Sequence, residues 1–423
     1  MRFVYSALFY LLLPVILLRM LWRSRKAPEY RRRLAERFGI FSCPQRVTDS
    51  PVIWVRAVSV GETLAAAPLI EDLLRDYPQH QLVITTTTPT GSERVKALFG
   101  DRVFHVYSPW DMPGAVQRFL AKIRPQLLVI METELWPNLL HYTHESACRI
   151  VLANARLSER SAAGYGRLAR LSRQMFGQID RVACQSIPDG ERLVALGLPR
   201  PRLTITGSIK FDIDLDEALQ MQVEQLKTEL GRPVLLGSST HPTEEALILD
   251  AFEQLQQSLP NLLCLLVPRH PERFESVYQL CQSRSLTTVR RSTGALPGPG
   301  DSVLLGDTMG ELRLLSGVAS VCVIGGSFIE HGGQNVLEAA AWGVPVVSGP
   351  HMFNFTEITE LLTAAGGMLQ VGQSQDLVPT LLSLFSDETR RSTMGGAARD
   401  VVQANRGARE KLLALIGEQL ADT

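Results

Sequence analysis

Residues 320–347 read SVCVIGGSFIEHGGQNVLEAAAWGVPVV. An apolar run, 320–324, meets a connection holding two glycine pairs, Gly325-Gly326 and Gly332-Gly333, and a helix is expected to open at Asn335 with Glu338 one turn in. A short strand, a glycine loop and a helix start form one unit of a parallel α/β sheet. Glycine lets backbone N–H groups approach a ligand, and the first helical turn carries partial positive charge, so the stretch is expected to cradle an anion. Asn335 and Glu338 also have the spacing of a variant capping box, a purely structural device. The spacing is not GxGxxG, and the first strand's loop, VSVGET, has one glycine, which argues against an NAD enzyme.

The same rhythm runs along the chain. Apolar strand-like runs at 51–60, 81–88, 127–132, 149–154 and 181–186 alternate with amphipathic segments such as 64–77. A second set follows at 232–239, 262–270, 302–307 and 318–324. Continuously apolar strands separated by helices indicate parallel sheets covered on both faces, and two sets predict two doubly wound α/β domains. Apolar periodicity gives way to charge near 207–220, which predicts the divide. Ligands of such sheets sit beyond the carboxyl ends of the strands, so two facing domains are expected to share a cleft.

At 423 residues, with 45% hydrophobic and 20% charged residues, the chain is long enough for two full cores. Its 43 basic and 43 acidic residues give no sign of nucleic-acid binding. The six cysteines show no CxxC pair, hence no zinc site, and Cys184, Cys264 and Cys322 lie in apolar runs, as buried free thiols do. The segment 3–22 is apolar over about a bilayer's span, with Arg19 its single charge, and runs into Arg23, Arg25, Lys26, Arg31, Arg32, Arg33 and Arg37. Basic residues after the apolar segment place the rest of the chain in the cytoplasm and suit an anionic membrane surface. Pro14 leaves an interfacial helix open, and a buried N-terminal helix is the bland alternative.

Polar residues gather just after the strands. Glu62 stands where a strand turns into a helix; the helix dipole is expected to keep it ionised, which suits a general base as well as a plain dipole partner. Glu132 and Glu134 end another strand, two apart, on one face if the strand continues. Lys210 in GSIKFD offers a point charge, and Arg269 in VPRHPERF a planar fork for phosphate or carboxylate; His270 is at least as well explained structurally. Thr308 and Glu311 match a capping box, whereas Gly310 within a first helical turn calls for close approach of a ligand. The hydroxyls of GSSTHPTEE (237–245) serve capping and anion contact equally. DIDLD (212–216) has D-x-D spacing found in metal-dependent sugar transferases, and its place in the charged connection favours a solvated linker.

Together SVGE, TTTTPTG, METELWPN, NARLSERS, GSIKFD, PRHPERF, DTMGEL and GGSFIEHGGQNVLEAA, behind an apolar N-terminal helix, resemble the 3-deoxy-D-manno-octulosonic acid (Kdo) transferases of lipopolysaccharide synthesis. The resemblance implies the GT-B fold, two doubly wound domains facing a cleft: an anchor helix at 1–24, an acceptor-side domain at 25–208, a linker at 209–225 and a CMP-sugar-binding domain at 226–423, whose last helix is free to pack back on the first. It implies transfer of Kdo from CMP-Kdo to a lipid A precursor on the cytoplasmic face of the inner membrane, with neither metal nor cofactor. By the same resemblance Glu62 is the proton acceptor, and Glu132 and Lys210 stabilise the transition state. Pro268, Arg269, Met309, Gly310, Glu311, Asn335, Val336, Leu337 and Glu338 would then contact CMP. Two rivals are another GT-B enzyme using a UDP-sugar, transferase or epimerase, and a membrane-tethered binding protein without turnover.

Overall fold

The computed structural model describes residues 1–25 and 28–421. Lys26, counted above in the basic segment, lies outside them. The chain divides into two compact units, Met1–Lys210 with Arg406–Thr423, and Phe211–Asn405.

The first unit is built on strands β1 Val52–Arg56, β2 Gln81–Thr86, β3 Phe104–Tyr107, β4 Leu127–Met131, β5 Arg149–Ala155, β6 Arg181–Cys184 and β7 Leu203–Ile205. Their order is β3-β2-β1-β4-β5-β6-β7, and every pairing is parallel. Alternate side chains of β1 feed separate cores: Val52 and Trp54 join Phe119 and Leu128 on one face, while Ile53 and Val55 join Leu69 and Leu127 on the other. Burial on both faces is why these strands read as unbroken apolar runs. The helix Ala408–Ala421 supplies Leu412, Leu415 and Ile416 to the second of these cores.

The second unit carries β8 Val234–Thr240, β9 Leu263–Pro268, β10 Thr288–Arg290, β11 Val303–Leu305, β12 Val321–Ile324, β13 Val346–Ser348 and β14 Met368–Gln370, in the order β10-β11-β9-β8-β12-β13-β14, all parallel. Cores again lie on both faces, with Leu236 and Cys322 on one and Leu235 and Val323 on the other. β3, β7, β10, β13 and β14 are three or four residues long, too short for periodicity to disclose. The span read as a linker holds the start of a helix, Glu217–Leu230, whose Val223 and Leu226 are buried in the second unit's core.

The N-terminal helix, Arg2–Arg23, is long and apolar enough to cross a membrane, and Phe3, Leu11 and Leu18 are exposed. The less exposed positions Ser6, Phe9, Leu13, Leu17 and Met20 follow the three-to-four spacing of one helix face, and of these Ser6 and Met20 are buried. Its first turn is held by Arg2 and Ser6, which donate to Asn138 Oδ1 at 3.2 and 3.1 Å. The basic segment is not uniformly outward. Arg37 is buried, donating to the Thr87 carbonyl at 2.8 Å with its guanidinium 4.4 Å from the Tyr107 ring, and Arg33 pairs with Glu36 at 2.6 Å.

Candidate active site

In the first unit the winding of the sheet reverses between the neighbours β1 and β4, where such sheets bind ligands. The chain leaving β1 enters the helix Val60–Asp76 through Ser59, whose Oγ accepts from the Glu62 amide at 3.3 Å. Glu62 closes the turn in reverse: its Oε1 accepts from Ser59 Oγ at 3.1 Å and its Oε2 from the Val58 amide at 2.7 Å. Ser59-x-x-Glu62 is thus a variant capping box, whose reverse bond comes from the amide one residue before the cap; its spacing is legible in the sequence.

That box holds the carboxylate still without keeping it ionised. Burial, reinforced by the charges of Glu132 and Glu134, raises the Glu62 pKa to about 7 against the bonds from Val58 and Ser59. The expectation that the helix dipole keeps Glu62 charged is corrected: desolvation outweighs it. A carboxylate poised near neutrality is matched to proton abstraction.

Glu132 and Glu134 do not share a strand face, because β4 ends at Met131. Glu132 takes a left-handed conformation, φ 55°, with its amide bonded to the Ala153 carbonyl at 2.9 Å. A non-glycine residue held there stores strain of the kind that gathers at working sites. The Glu134 carbonyl accepts from Arg56 at 2.8 Å. Arg56 ends β1 and is buried, its Nε reaching Ser108 Oγ at 3.3 Å. Sequence reading missed it, although a charge inside a fully buried five-residue strand was the available signal. Behind it Asp111 is buried and accepts from the amides of Asn138 and Leu139 at 3.0 and 2.7 Å. Asn138 is the residue that also anchors the N-terminal helix. Lys210 lies in the turn Ile209–Phe211, positioned by the Ile209 amide donating to Asn154 Oδ1 at 3.2 Å.

In the second unit the winding reverses between β8 and β12. Gly326 and Phe328 do point amides into a cradle, and the anion filling it is Glu244. The buried Glu244 carboxylate accepts from Gly326 at 2.6 Å, Phe328 at 3.0 Å and His241 at 3.0 Å. The expectation of a ligand on this part of the loop is corrected: a side chain from the helix Glu244–Gln256 occupies those donors. The glycines answer to backbone shape. Gly326, Gly332 and Gly333 have φ of 68°, 86° and 76°, and a Cβ on Gly332 or Gly333 would collide with Phe353 or Met352.

The helix expected to open at Asn335 begins two residues later, Leu337–Ala341, and Asn335 Oδ1 accepts from the Leu337 amide at 3.1 Å. Val336 and Leu337 bury their side chains in the core, so only their main chain could meet a ligand. Glu338 is different. Its Oε1 is 3.4 Å from Asn335 Nδ2, its Oε2 is buried with no hydrogen-bond partner among the described residues, and burial raises its pKa against Arg313, Asn335 and Arg269. A buried acceptor without a donor is a place for a ligand hydroxyl.

Pro268 ends β9, and the Arg269 amide bonds the Thr240 carbonyl at 3.0 Å, bringing that arginine beside the end of β8. Met309 is 58% exposed. Gly310 precedes the helix Leu312–Gly317 at φ 86°, a left-handed angle that favours glycine, and a Cβ there would meet no described atom within 4 Å. Glu311 bonds Thr308 and pairs with Arg291 at 2.9 Å; these contacts outweigh burial and hold its pKa below the usual range.

Two seven-stranded parallel α/β units in one chain define the GT-B class of fold. UDP-GlcNAc 2-epimerase from Neisseria meningitidis superposes with a TM-score of 0.57 at 15% identity, over 88% of this chain and 100% of that one. The profile of the family described as 3-deoxy-D-manno-octulosonic-acid transferase matches residues 32–213. The 3-deoxy-D-manno-octulosonic acid transferase of Haemophilus influenzae is 43% identical over 98% of both chains. That of Bordetella pertussis is 38% identical over 97% of this chain and 98% of its own. The chain belongs to the Kdo transferase family and is a glycosyltransferase.

Proposed function

We propose that the protein transfers Kdo with inversion from CMP-Kdo to a lipid A precursor, lipid IV-A, without a metal, using Glu62 as general base. The observation that carries this reading is the buried Glu62 carboxylate, fixed by Val58 and Ser59 with a pKa of about 7. Each Glu62 oxygen accepts a single bond, so each keeps a lone pair for an acceptor hydroxyl. Glu62 takes that proton as the hydroxyl oxygen bonds to the anomeric carbon, and the bond from that carbon to the phosphate oxygen breaks, CMP leaving with the electron pair. Inversion needs this single displacement, with base and leaving group on opposite faces of the sugar. The Glu132 carboxylate favours the positive charge that develops on the sugar, and Lys210 and Arg269 offset negative charge growing on the phosphate.

Donor binding falls to the second unit. The unpartnered Glu338 Oε2 supports a bond from a ribose hydroxyl, with Asn335 alongside. Arg269 suits the phosphate, the main chain at Val336 and Leu337 the remaining polar edges, and Pro268, Met309, Gly310 and Glu311 border the nucleotide. The exposed apolar face of Arg2–Arg23, with Arg19, Arg23 and Arg25 exposed at its end, supports docking on the inner membrane's cytoplasmic surface.

The test is mass spectrometry of the lipid formed from CMP-Kdo and lipid IV-A in the presence of EDTA. A product heavier by Kdo is expected, undiminished by chelation; loss restored by added divalent metal would overturn the metal-free mechanism. CMP should also raise Tm more than UDP does, and the reverse order would favour a UDP-sugar enzyme. Arg269→Ala is expected to raise KM for CMP-Kdo about tenfold or more, the worth of one charge-assisted hydrogen bond. An unchanged KM would remove Arg269 from the donor site.

A further inference from the structure

Three histidines of the second unit converge where its sheet reverses. β9, β8 and β12 are neighbours, and His241 follows β8, His270 follows β9, and His331 lies in the loop after β12. The His241 ring is centred 4.7 Å from that of His331, tilted 52°, and 5.5 Å from that of His270, edge-on at 80°. His241 is buried while His270 and His331 are exposed, so two rings at the surface flank a third beneath them.

The surrounding charge is lopsided. Arg269 and Arg273 act on His241 together with the other two imidazoles, and with burial as the leading cause they depress its pKa to about 4. Two nearby acids face elsewhere, Glu244 committed to main-chain amides and Glu245 to Arg273 at 3.2 Å and Thr240 at 3.0 Å, while Glu338 acts on Arg269. Gln334 Nε2 stands 3.0 Å from His241 Nε2, adding a polar group to the rim. A metal is a poor occupant, since among the described residues no group of three or more His, Cys, Asp and Glu is arranged to hold one. Donors and positive charge at a switch point, with Glu244 and Glu245 already engaged, are the complement of an oxyanion.

We propose that His241, His270 and His331 form a collar that binds an anionic oxygen group of the donor, its phosphate or its sugar carboxylate, beside Arg269. The assignment rests on the CMP-Kdo reading for the identity of the donor, and on the convergence of the three loops for the site itself. An anion seated there offsets the charge of Arg269 and Arg273 that acts on His241, so binding raises the depressed His241 pKa and tightens as pH falls.

The experiment follows histidine ring resonances of the full-length protein as CMP, free Kdo or inorganic phosphate is added, with His270→Ala and His331→Ala as variants at exposed, fold-tolerant positions. The rings are expected to shift together, and each variant to weaken the responding ligand about tenfold, as loss of a charge-assisted hydrogen bond would. Weakened CMP and phosphate binding assigns the collar to the donor phosphate. Weakened Kdo binding with CMP unaffected assigns it to the sugar carboxylate. Rings unmoved by all three probes, with variants that bind as the wild type does, would overturn the proposal. Rings that answer phosphate in a protein that does not bind CMP would instead remove the CMP-Kdo reading and keep the collar.

Discussion

Glu62→Gln is expected to lower kcat for Kdo transfer by about 10²–10⁴-fold, the usual worth of a positioned general base, while CMP binding is unchanged. Gln keeps one oxygen to accept from the Val58 amide, so the turn at the head of the helix Val60–Asp76 survives and the defect is chemical. The wild type supplies a second readout. The base works only when ionised, so log(kcat/KM) should climb with unit slope at acid pH and level off near pH 7. Stability has the opposite trend. Because the folded pKa lies above the unfolded one, the protonated carboxyl stabilises the fold below the unfolded value, and that contribution is lost as pH rises through about 7. Glu62→Gln cannot ionise, so its Tm at pH 8 should be no lower than that of the wild type. Turnover retained in this variant, or a wild-type acid limb centred near the ordinary carboxylate pKa, would show that another group takes the proton.

Glu244→Ala should damage the fold itself. It orphans the amides of His241, Gly326 and Phe328, which donate at 2.6–3.0 Å to one buried carboxylate. At about 1–3 kcal/mol for each unsatisfied buried donor, the loss is about 3 kcal/mol or more. For a unit of this size that lowers Tm by roughly 6–12 °C. Glu244→Gln should fall between, because its amide nitrogen faces donors where an acceptor is required. Hydrogen exchange at Gly326 and Phe328 should quicken in both variants. Unaltered melting and exchange would mean that the cradle holds its shape without its internal anion.

This second case shows where reading residues in order stops short. The glycine pairs of 325–333 and the helix after them were legible, as was the preference of such a loop for an anion. That the anion is Glu244 was not, since it lies 82 positions from Gly326 and is brought there by the pairing of β8 with β12. Gly310 is similar: the sequence marks a glycine as special, and only the structure shows that its backbone is left-handed. Arg33 and Arg37 counted toward a basic surface segment, yet packing turned them onto Glu36 and Tyr107.

From sequence alone came the two doubly wound units, the family, and the exposed apolar helix at the start, because these rest on local period and on motif order, which survive without coordinates. Tertiary structure alone decided the raised pKa of Glu62, since it is a property of burial and of Glu132 and Glu134 arriving from the loop after β4. It decided as well which amides remain for a ligand and that three histidines meet. Desolvation and charge proximity act through space, and a chain read residue by residue carries no distances.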